Sequence, residues 1–298
     1  MFKNFCLCSL GALPSEIRSD LITFLKEDLG LGDLTARVLD TPKPARFELW
    51  AKSSNMVLCG LPLFFETLNL ACDGDFTFES LFKDSDQTSK APMLTARGST
   101  GSAAQGLLIG ERTALNLLSH LSGVATKTKT FLDLKNKILG PNPILLDTRK
   151  NTPGLRRYEK YAVRAGGAQN HRMNLGTGAM LKENHLRLLG FSNLPHLSRP
   201  LPLLSHLEVE VSTLEELSIA LSSPVDVIML DNFLDSDLKL ALKMISSFDG
   251  NIKIEVSGNL TEERLSSLKG LDIDYISSGA LVHQSTWVDL SLQIYENN

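Results

Sequence analysis

After Pro143 the chain falls into a repeated rhythm in which short apolar runs, each closed by polar residues, alternate with segments whose apolar positions recur at helical spacing. The runs are NPILLDTRK, LPLLSHLEVEVS, PVDVIMLDN, NIKIEVSGN and LDIDYISSGA. Apolar stretches of this length between turn residues predict strands. The intervening STLEELSIALSS, DSDLKLALKMISSF and TEERLSSLKG predict helices, each opened by a Ser, Asp or Thr suited to capping. Repeated βα units wind into a barrel or into an open doubly wound sheet, and both hold ligands at the carboxyl ends of the strands. No G-x-G-x-x-G opens the first helix, which counts against a dinucleotide fold. Polar residues at several successive strand ends favour a barrel, complete or partly open.

Between Leu10 and about Thr126 the pattern is mixed. SEIRSDLITFLKEDLG predicts an amphipathic helix, GLGDLTARVL a loop, ARFELWAKSS a strand by its alternation, and the residues from about Leu61 a second helix. The polar stretch DGDFTFESLFKDSDQTSKAP reads as edge strands or a loop. A long helix-forming segment, GSAAQGLLIGERTALNLLSHLSGVATKTKTFLDL, follows with a break expected at Gly123. Together these predict an α+β layer ahead of the barrel.

The 298 residues are 43% hydrophobic, enough to bury one large core or two smaller ones. A net charge of -4 and a pI of about 5.9 argue against nucleic acid and anionic membranes as partners. No apolar run approaches the ~20 residues that span a bilayer. The apolar start is interrupted by Ser9 and runs at once into the first helix, unlike a signal peptide. Cys6, Cys8, Cys59 and Cys72 contain no C-x-x-C pair, and free thiols in a reducing, cytoplasmic compartment are expected, with Cys6 and Cys8 a weak alternative as a soft-metal pair.

Charge becomes informative locally. From Arg149 to Arg187 the chain carries nine Lys or Arg and two acids, Glu159 and Glu183. For Arg156, Arg157, Lys160 and Arg164 a solvated helix face explains the pattern as well as function does. Arg149 and Lys150 directly follow an apolar strand, where an arginine fork matches a carboxylate or phosphate. His171, Arg172 and Lys182 add further donors. Glu210 and Asp231, at the ends of adjacent strands, suit sugar hydroxyls or a hard cation such as Mg2+. Ser257-Gly258-Asn259 and Ser278-Gly279-Ala280 end the last two strands with small residues whose backbone N–H groups can cradle a phosphate.

The run DTRKNTPGLRRYEKYAVRAGGAQNHRMNLGTGAMLKENH resembles the signature of the quinolinate phosphoribosyltransferases, and so do EDLGLGDLTARVL, ERTALNLLSHLSGVAT, EVEVSTLEEL, VIMLDNF, EVSGNLT and ISSGAL. The likeness extends from about Leu21 to His283. It implies an α/β protein of the type II phosphoribosyltransferase fold. Residues 1–126 would form an N-terminal α/β sandwich with a helical linker and 127–298 a C-terminal open α/β barrel, the last strand or helix returning to the first domain.

The resemblance further implies transfer of phosphoribosyl from phosphoribosyl pyrophosphate to quinolinate with loss of CO2, dependence on Mg2+, and a homodimer or larger assembly with shared active sites. Carried over by position, quinolinate would meet Arg112 from a neighbouring chain, Arg149, His171, Arg172 and Lys182, with Thr148 and Lys150 lining the pocket. Glu210 and Asp231 would serve the ribose and, indirectly, the metal; Ser257, Gly258, Asn259, Ser278, Gly279 and Ala280 would hold phosphate. Lys150, Lys182, Glu210 and Asp231 are the expected catalytic groups. Three positions depart from the pattern: Thr177 stands where an acid is usual, Ala168 replaces a third glycine, and Ser278 replaces an apolar residue. The rivals are a phosphoribosyltransferase-like protein of molybdenum uptake, a Schiff-base aldolase using Lys150 or Lys182, and a non-catalytic relative.

Overall fold

The computed structural model describes residues 7–35, 38, 43–198, 200–202 and 205–296. Cys6 and the side chain of Cys8, considered above as a thiolate pair, lie outside them. The chain divides into two compact units. One comprises residues 1–129, 152–167 and 284–298, the other 130–151 and 168–283. This division groups 152–167 with the first unit, whereas the expected bounds of 1–126 and 127–298 give it to the barrel, and it groups 284–298 there too, where the expectation had the last strand or helix return. Apolar periodicity reveals that a segment is helical or extended; it does not reveal which neighbour receives its apolar face.

The first unit is built on an antiparallel sheet in the order β10-β1-β3-β2, formed by β1 (Ala45–Ala51), β2 (Thr77–Ser80), β3 (Met93–Thr100) and β10 (Leu290–Glu296). In β1 the alternation of ARFELWA buries Ala45, Phe47, Leu49 and Ala51. They pack with Leu61, Phe64, Phe65 and Leu68 of α2 (Leu61–Ala71) and with Leu107, Leu115 and Leu118 of α3 (Ala104–Leu139). Helices on one face of a sheet give the α/β sandwich. β2 is the sheet's edge, as its polarity requires.

The expected break at Gly123 is absent, because α3 runs through it. A Cβ there would lie 2.1 Å from the Thr286 carbonyl oxygen, so the glycine admits a close backbone approach inside a continuous helix. α1 (Pro14–Leu29) and α4 (Arg156–Ala165) complete the unit. The Tyr158 hydroxyl donates to Asp20 at 2.6 Å and the Tyr161 hydroxyl to Asp84 at 2.8 Å, while the buried Glu159 lies 2.9 Å from His120 Nε2.

The second unit is a six-stranded parallel sheet in the order β4-β9-β8-β7-β6-β5. Its strands are β4 (Ile144–Leu146), β5 (Ala179–Leu181), β6 (Leu207–Val211), β7 (Val227–Asp231), β8 (Lys253–Ser257) and β9 (Tyr275–Ser277). Connections include α5 (Glu183–Leu189), α6 (Leu214–Leu221), α7 (Asp235–Ser246) and α8 (Glu262–Ser267), with α9 (Ala280–His283) after β9. This is the open barrel-like α/β arrangement expected. Thr213 and Thr261 cap α6 and α8 by accepting the backbone N–H of Glu216 and Arg264, each worth about 1 kcal/mol. α7 corrects the capping expectation: its N-cap is Leu234, and Asp235, already in the first turn, instead pairs with Arg264 and accepts from Ser267.

Candidate active site

Strand alternation sorts the second unit's residues into two sets. Val209, Val211, Ile228, Leu230, Val256 and Ile276 are fully buried on one face. The opposite face collects Met180, Glu208, Glu210, Met229, Asp231, Glu255, Ser257 and Ser277. The parallel register seats Met180 beside Glu208, Glu210 beside Met229, Asp231 beside Ser257 and Ser257 beside Ser277. Each chemical residue therefore lies on the inward face because its side chain is in phase with the pleat.

At the carboxyl ends of these strands a cavity of about 390 Å3 is lined by Thr148, Arg149, Lys150, His171, Arg172, Met180, Lys182, Glu210, Met229, Asp231, Ser257 and Ser277. All of the sequence-selected residues from Thr148 to Asp231 in the second unit come together here. Four permanent or near-permanent cations face two carboxylates, so the cavity can neutralise a polyanion. Lys182 Nζ donates to Glu210 Oε2 at 2.5 Å. Burial, then the nearby Arg149 guanidinium, push the Arg172 pKa down while Glu208 opposes them; arginine nonetheless stays charged.

The loop carrying His171 is tied to the end of β4. Asp147, fully buried, accepts the His171 backbone N–H at 2.8 Å and the Asn170 amide at 2.7 Å. Asp147 thus brackets the loop and does not line the cavity. The Arg172 guanidinium donates to the Gly178 carbonyl at 2.8 Å. Thr177, at the position where the resemblance leads one to expect an acid, organises the same loop: its hydroxyl accepts the backbone N–H groups of Met173 and Asn174 at 2.9 and 3.1 Å.

The phosphate candidates are distributed differently. Ser257, Gly258 and Asn259 line a second opening with Asn232, Phe233, Leu234, Asp235 and Arg264. Gly258 has φ +138°, and a Cβ there would meet Asn232 Oδ1 at 2.8 Å, so both conformation and space call for glycine. Ser278 is buried; its N–H donates to the Leu146 carbonyl, and its hydroxyl accepts the Ala280 N–H at 3.3 Å. A Cβ on Gly279 would meet Lys150 Cδ at 2.8 Å, so this glycine makes room for the Lys150 side chain.

Arg112 is exposed on α3 within the first unit. Arg156, Arg157, Lys160 and Arg164 lie on α4 in that unit and are not among the residues lining the cavity. Arg157 lies 3.8 Å from Glu16, Lys160 is fully buried, and Arg164 sits over the Tyr161 ring. The run of basic residues is therefore split between two units.

Sequence reasoning missed Met180, Met229 and Ser277, and two acids on the same inward face, Glu208 and Glu255. The signal for the acids was their spacing: each is two residues before a strand-end residue, Glu210 or Ser257, inside an otherwise apolar strand. His171 Nε2 lies 2.9 Å from Glu208 Oε2 and 3.6 Å from Glu255 Oε2. Burial, and then Glu208, push the Glu255 carboxyl up to about 7, with His171 and Lys182 opposing. The donor atoms of this trio fall within 4.8 Å of one another. Nδ1 of His171, however, accepts the Arg172 backbone N–H at 2.8 Å, so a neutral ring carries its proton on Nε2, the nitrogen facing the acids. That proton favours a hydrogen-bonded cluster over a metal centre.

Glu210 and Asp231 are the better hard-cation candidates, being oxygen donors at neighbouring strand ends. Glu210 is already paired with Lys182, and Asp231 accepts from the Asn232 amide at 2.8 Å. Two engaged carboxylates are too few for an all-protein cage, and fit a divalent ion that is held chiefly by a substrate's phosphates and by water.

A parallel open barrel whose strand ends enclose cations, two acids and small-residue loops defines a barrel enzyme acting on anionic, phosphorylated substrates. Residues 33–122 match the N-terminal domain of quinolinate phosphoribosyl transferase and residues 124–293 its C-terminal domain, and the chain belongs to that family. A probable nicotinate-nucleotide pyrophosphorylase (carboxylating) of Synechocystis sp. is 38% identical, over 97% of this chain and 96% of that protein. One of Bacillus subtilis is 36% identical, over 95% of each. The crystal structure of NadC from Streptococcus pyogenes superposes with a TM-score of 0.84 at 36% identity, covering 96% of this chain and 99% of that one.

Proposed function

We propose that this chain transfers phosphoribosyl from phosphoribosyl pyrophosphate to quinolinate, yielding nicotinate mononucleotide, pyrophosphate and CO2. The observation that carries the reading is the cavity itself, which Arg149, Lys150, Arg172 and Lys182 line together with Glu210 and Asp231. Relatives named for this activity, matching nearly end to end, support it. No feature of the site favours the molybdenum-uptake protein. A Schiff-base lysine needs a pKa well below that of free lysine, and Lys182 instead donates to a carboxylate.

A quinolinate dianion is drawn in by Arg149, Arg172, Lys182 and Lys150, with Thr148 and His171 on the wall. Its ring nitrogen attacks the anomeric carbon of the sugar as the bond to pyrophosphate breaks. Glu210 and Asp231 stabilise the positive charge that grows on the sugar. Mg2+, when bound with the pyrophosphate, neutralises the leaving group's charge. The pyridinium then takes the electron pair left as the adjacent carboxylate departs as CO2, and a proton from solvent fills that carbon. Because little protein proton transfer is needed, the chain's contribution is placement and electrostatics.

Ser257, Gly258 and Asn259, and the turn at Ser278, Gly279 and Ala280, are assigned to phosphate. Arg112 is assigned to the site of a second copy, making the working form a homodimer or larger assembly. Among the described residues no helix is long and apolar enough to cross a membrane, and a cytoplasmic enzyme is the reading we adopt. Lys150→Ala and Arg149→Ala should each lower turnover by about a hundredfold or more while leaving the melting temperature nearly unchanged. Kinetics like those of the parent in either variant would refute the site.

A further inference from the structure

Glu208 has no place in the chemistry above, yet it is buried on the inward face of β6, one pleat below Glu210. Its Oε2 lies at hydrogen-bond distance, 2.9 Å, from His171 Nε2, and its Oε1 is buried without a protein hydrogen-bond partner. Removing a carboxylate from water to this extent is costly, and the group it faces is the return on that cost. Glu255 Oε2, at 3.6 Å from the same nitrogen, stands behind it as a weaker contact.

The other ring nitrogen gives the pairing direction. Nδ1 of His171 accepts the backbone N–H of Arg172 at 2.8 Å. It can do so only while it carries no proton, which places the proton of the neutral ring on Nε2. An acceptor opposite Nε2 therefore fixes the tautomer and the ring plane, and the ring in turn fixes the peptide from which the Arg172 side chain enters the cavity. Arg172 is held at its far end by the Gly178 carbonyl, so its guanidinium is positioned from both ends of the side chain.

We propose that Glu208 is a positioning residue for the aromatic dicarboxylate: by accepting from His171 Nε2–H it holds His171 in the tautomer that anchors Arg172. The claim rests on the reading of this cavity as the quinolinate site. Without an acceptor at position 208 the ring is free to move its proton to Nδ1, where it would oppose the Arg172 N–H and unseat the cation. The phosphoribosyl side, served by Glu210, Asp231 and the Ser257 loop, does not depend on this contact.

Glu208→Ala and Glu208→Gln separate the hydrogen bond from the charge, because both delete the charge and only Gln keeps an acceptor in place. Glu208→Ala should raise KM for quinolinate about tenfold or more, leave KM for phosphoribosyl pyrophosphate within about twofold, and change kcat less than KM. Glu208→Gln should recover most of the lost affinity. Equal effects of Ala and Gln, equal losses for both substrates, or no effect of Ala would overturn the proposal. Nitrogen chemical shifts of the His171 ring, measured without substrate, provide a second readout: Nδ1 should be unprotonated in the parent and in Glu208→Gln, and the ring should become a tautomer mixture in Glu208→Ala. A protonated Nδ1 in the parent would refute the positioning role. A parent protein inactive toward quinolinate would count against the proposed reaction instead, leaving the ring measurement to decide this inference.

Discussion

At the scale of single residues, the inward face of the parallel sheet sets two buried acids, Glu208 and Glu255, beside His171, and this setting perturbs Glu255. Its carboxyl is pushed up to about 7 from an ordinary 4.5 by burial and then by Glu208. A carboxyl whose folded pKa is raised binds its proton more tightly folded than unfolded. The corresponding stability is present below pH 4.5 and is lost as pH rises toward about 7. Glu255→Gln, which stays neutral, should therefore gain on the parent in melting temperature between pH 5 and pH 8; a constant difference across that range would contradict this assignment. Arg149 and Lys150 were legible in the sequence because a basic residue after an apolar strand has few structural explanations, and Lys182 because it adds a cation to the same basic run. Glu208 and Glu255 were not picked out, because an acid inside an apolar strand reads as an interruption until the pleat shows which face it occupies.

At the scale of elements, the polar stretch after β2 shows why composition alone left its purpose open. Asp84 accepts the backbone N–H groups of Gly60 and Leu61 at 3.0 Å each, at the start of α2, and also the Tyr161 hydroxyl. Thr88 exchanges backbone hydrogen bonds with Asn55 and Met56. The stretch is a capping and bracing segment of the first unit. Asp84→Ala should cost about 2–4 kcal/mol, since it strips a buried network of its acceptor, and Asp84→Asn should cost less. Urea unfolding midpoints measure both; an Ala variant as stable as the parent would show that the network is dispensable. The helices themselves were plain from periodicity. The destination of α4 was not, because its two tyrosines find their carboxylate partners, Asp20 and Asp84, far away in sequence. Gly123 misled for a related reason: what it accommodates is the carbonyl of Thr286, a contact that local pattern cannot announce.

At the scale of the whole molecule, an acidic chain of net charge -4 directs four cations to one cavity at the strand ends of its parallel sheet. The strand-end rule for βα folds made that set visible before any coordinates, since residues at successive strand ends must converge if the strands share a sheet. Apolar pattern does not specify the number and order of strands. β5 is only three residues long, and β10 joins the other sheet beside β1. The chemistry assigned to the assembled site needs Mg2+ for the leaving pyrophosphate, so excess chelator should abolish turnover and added Mg2+ restore it. The proposed reaction is tested by incubating the purified protein with quinolinate, phosphoribosyl pyrophosphate and Mg2+ and measuring nicotinate mononucleotide and CO2 together. Equal amounts of both, dependent on each substrate, are expected. Substrate binding with neither product would contradict that reaction.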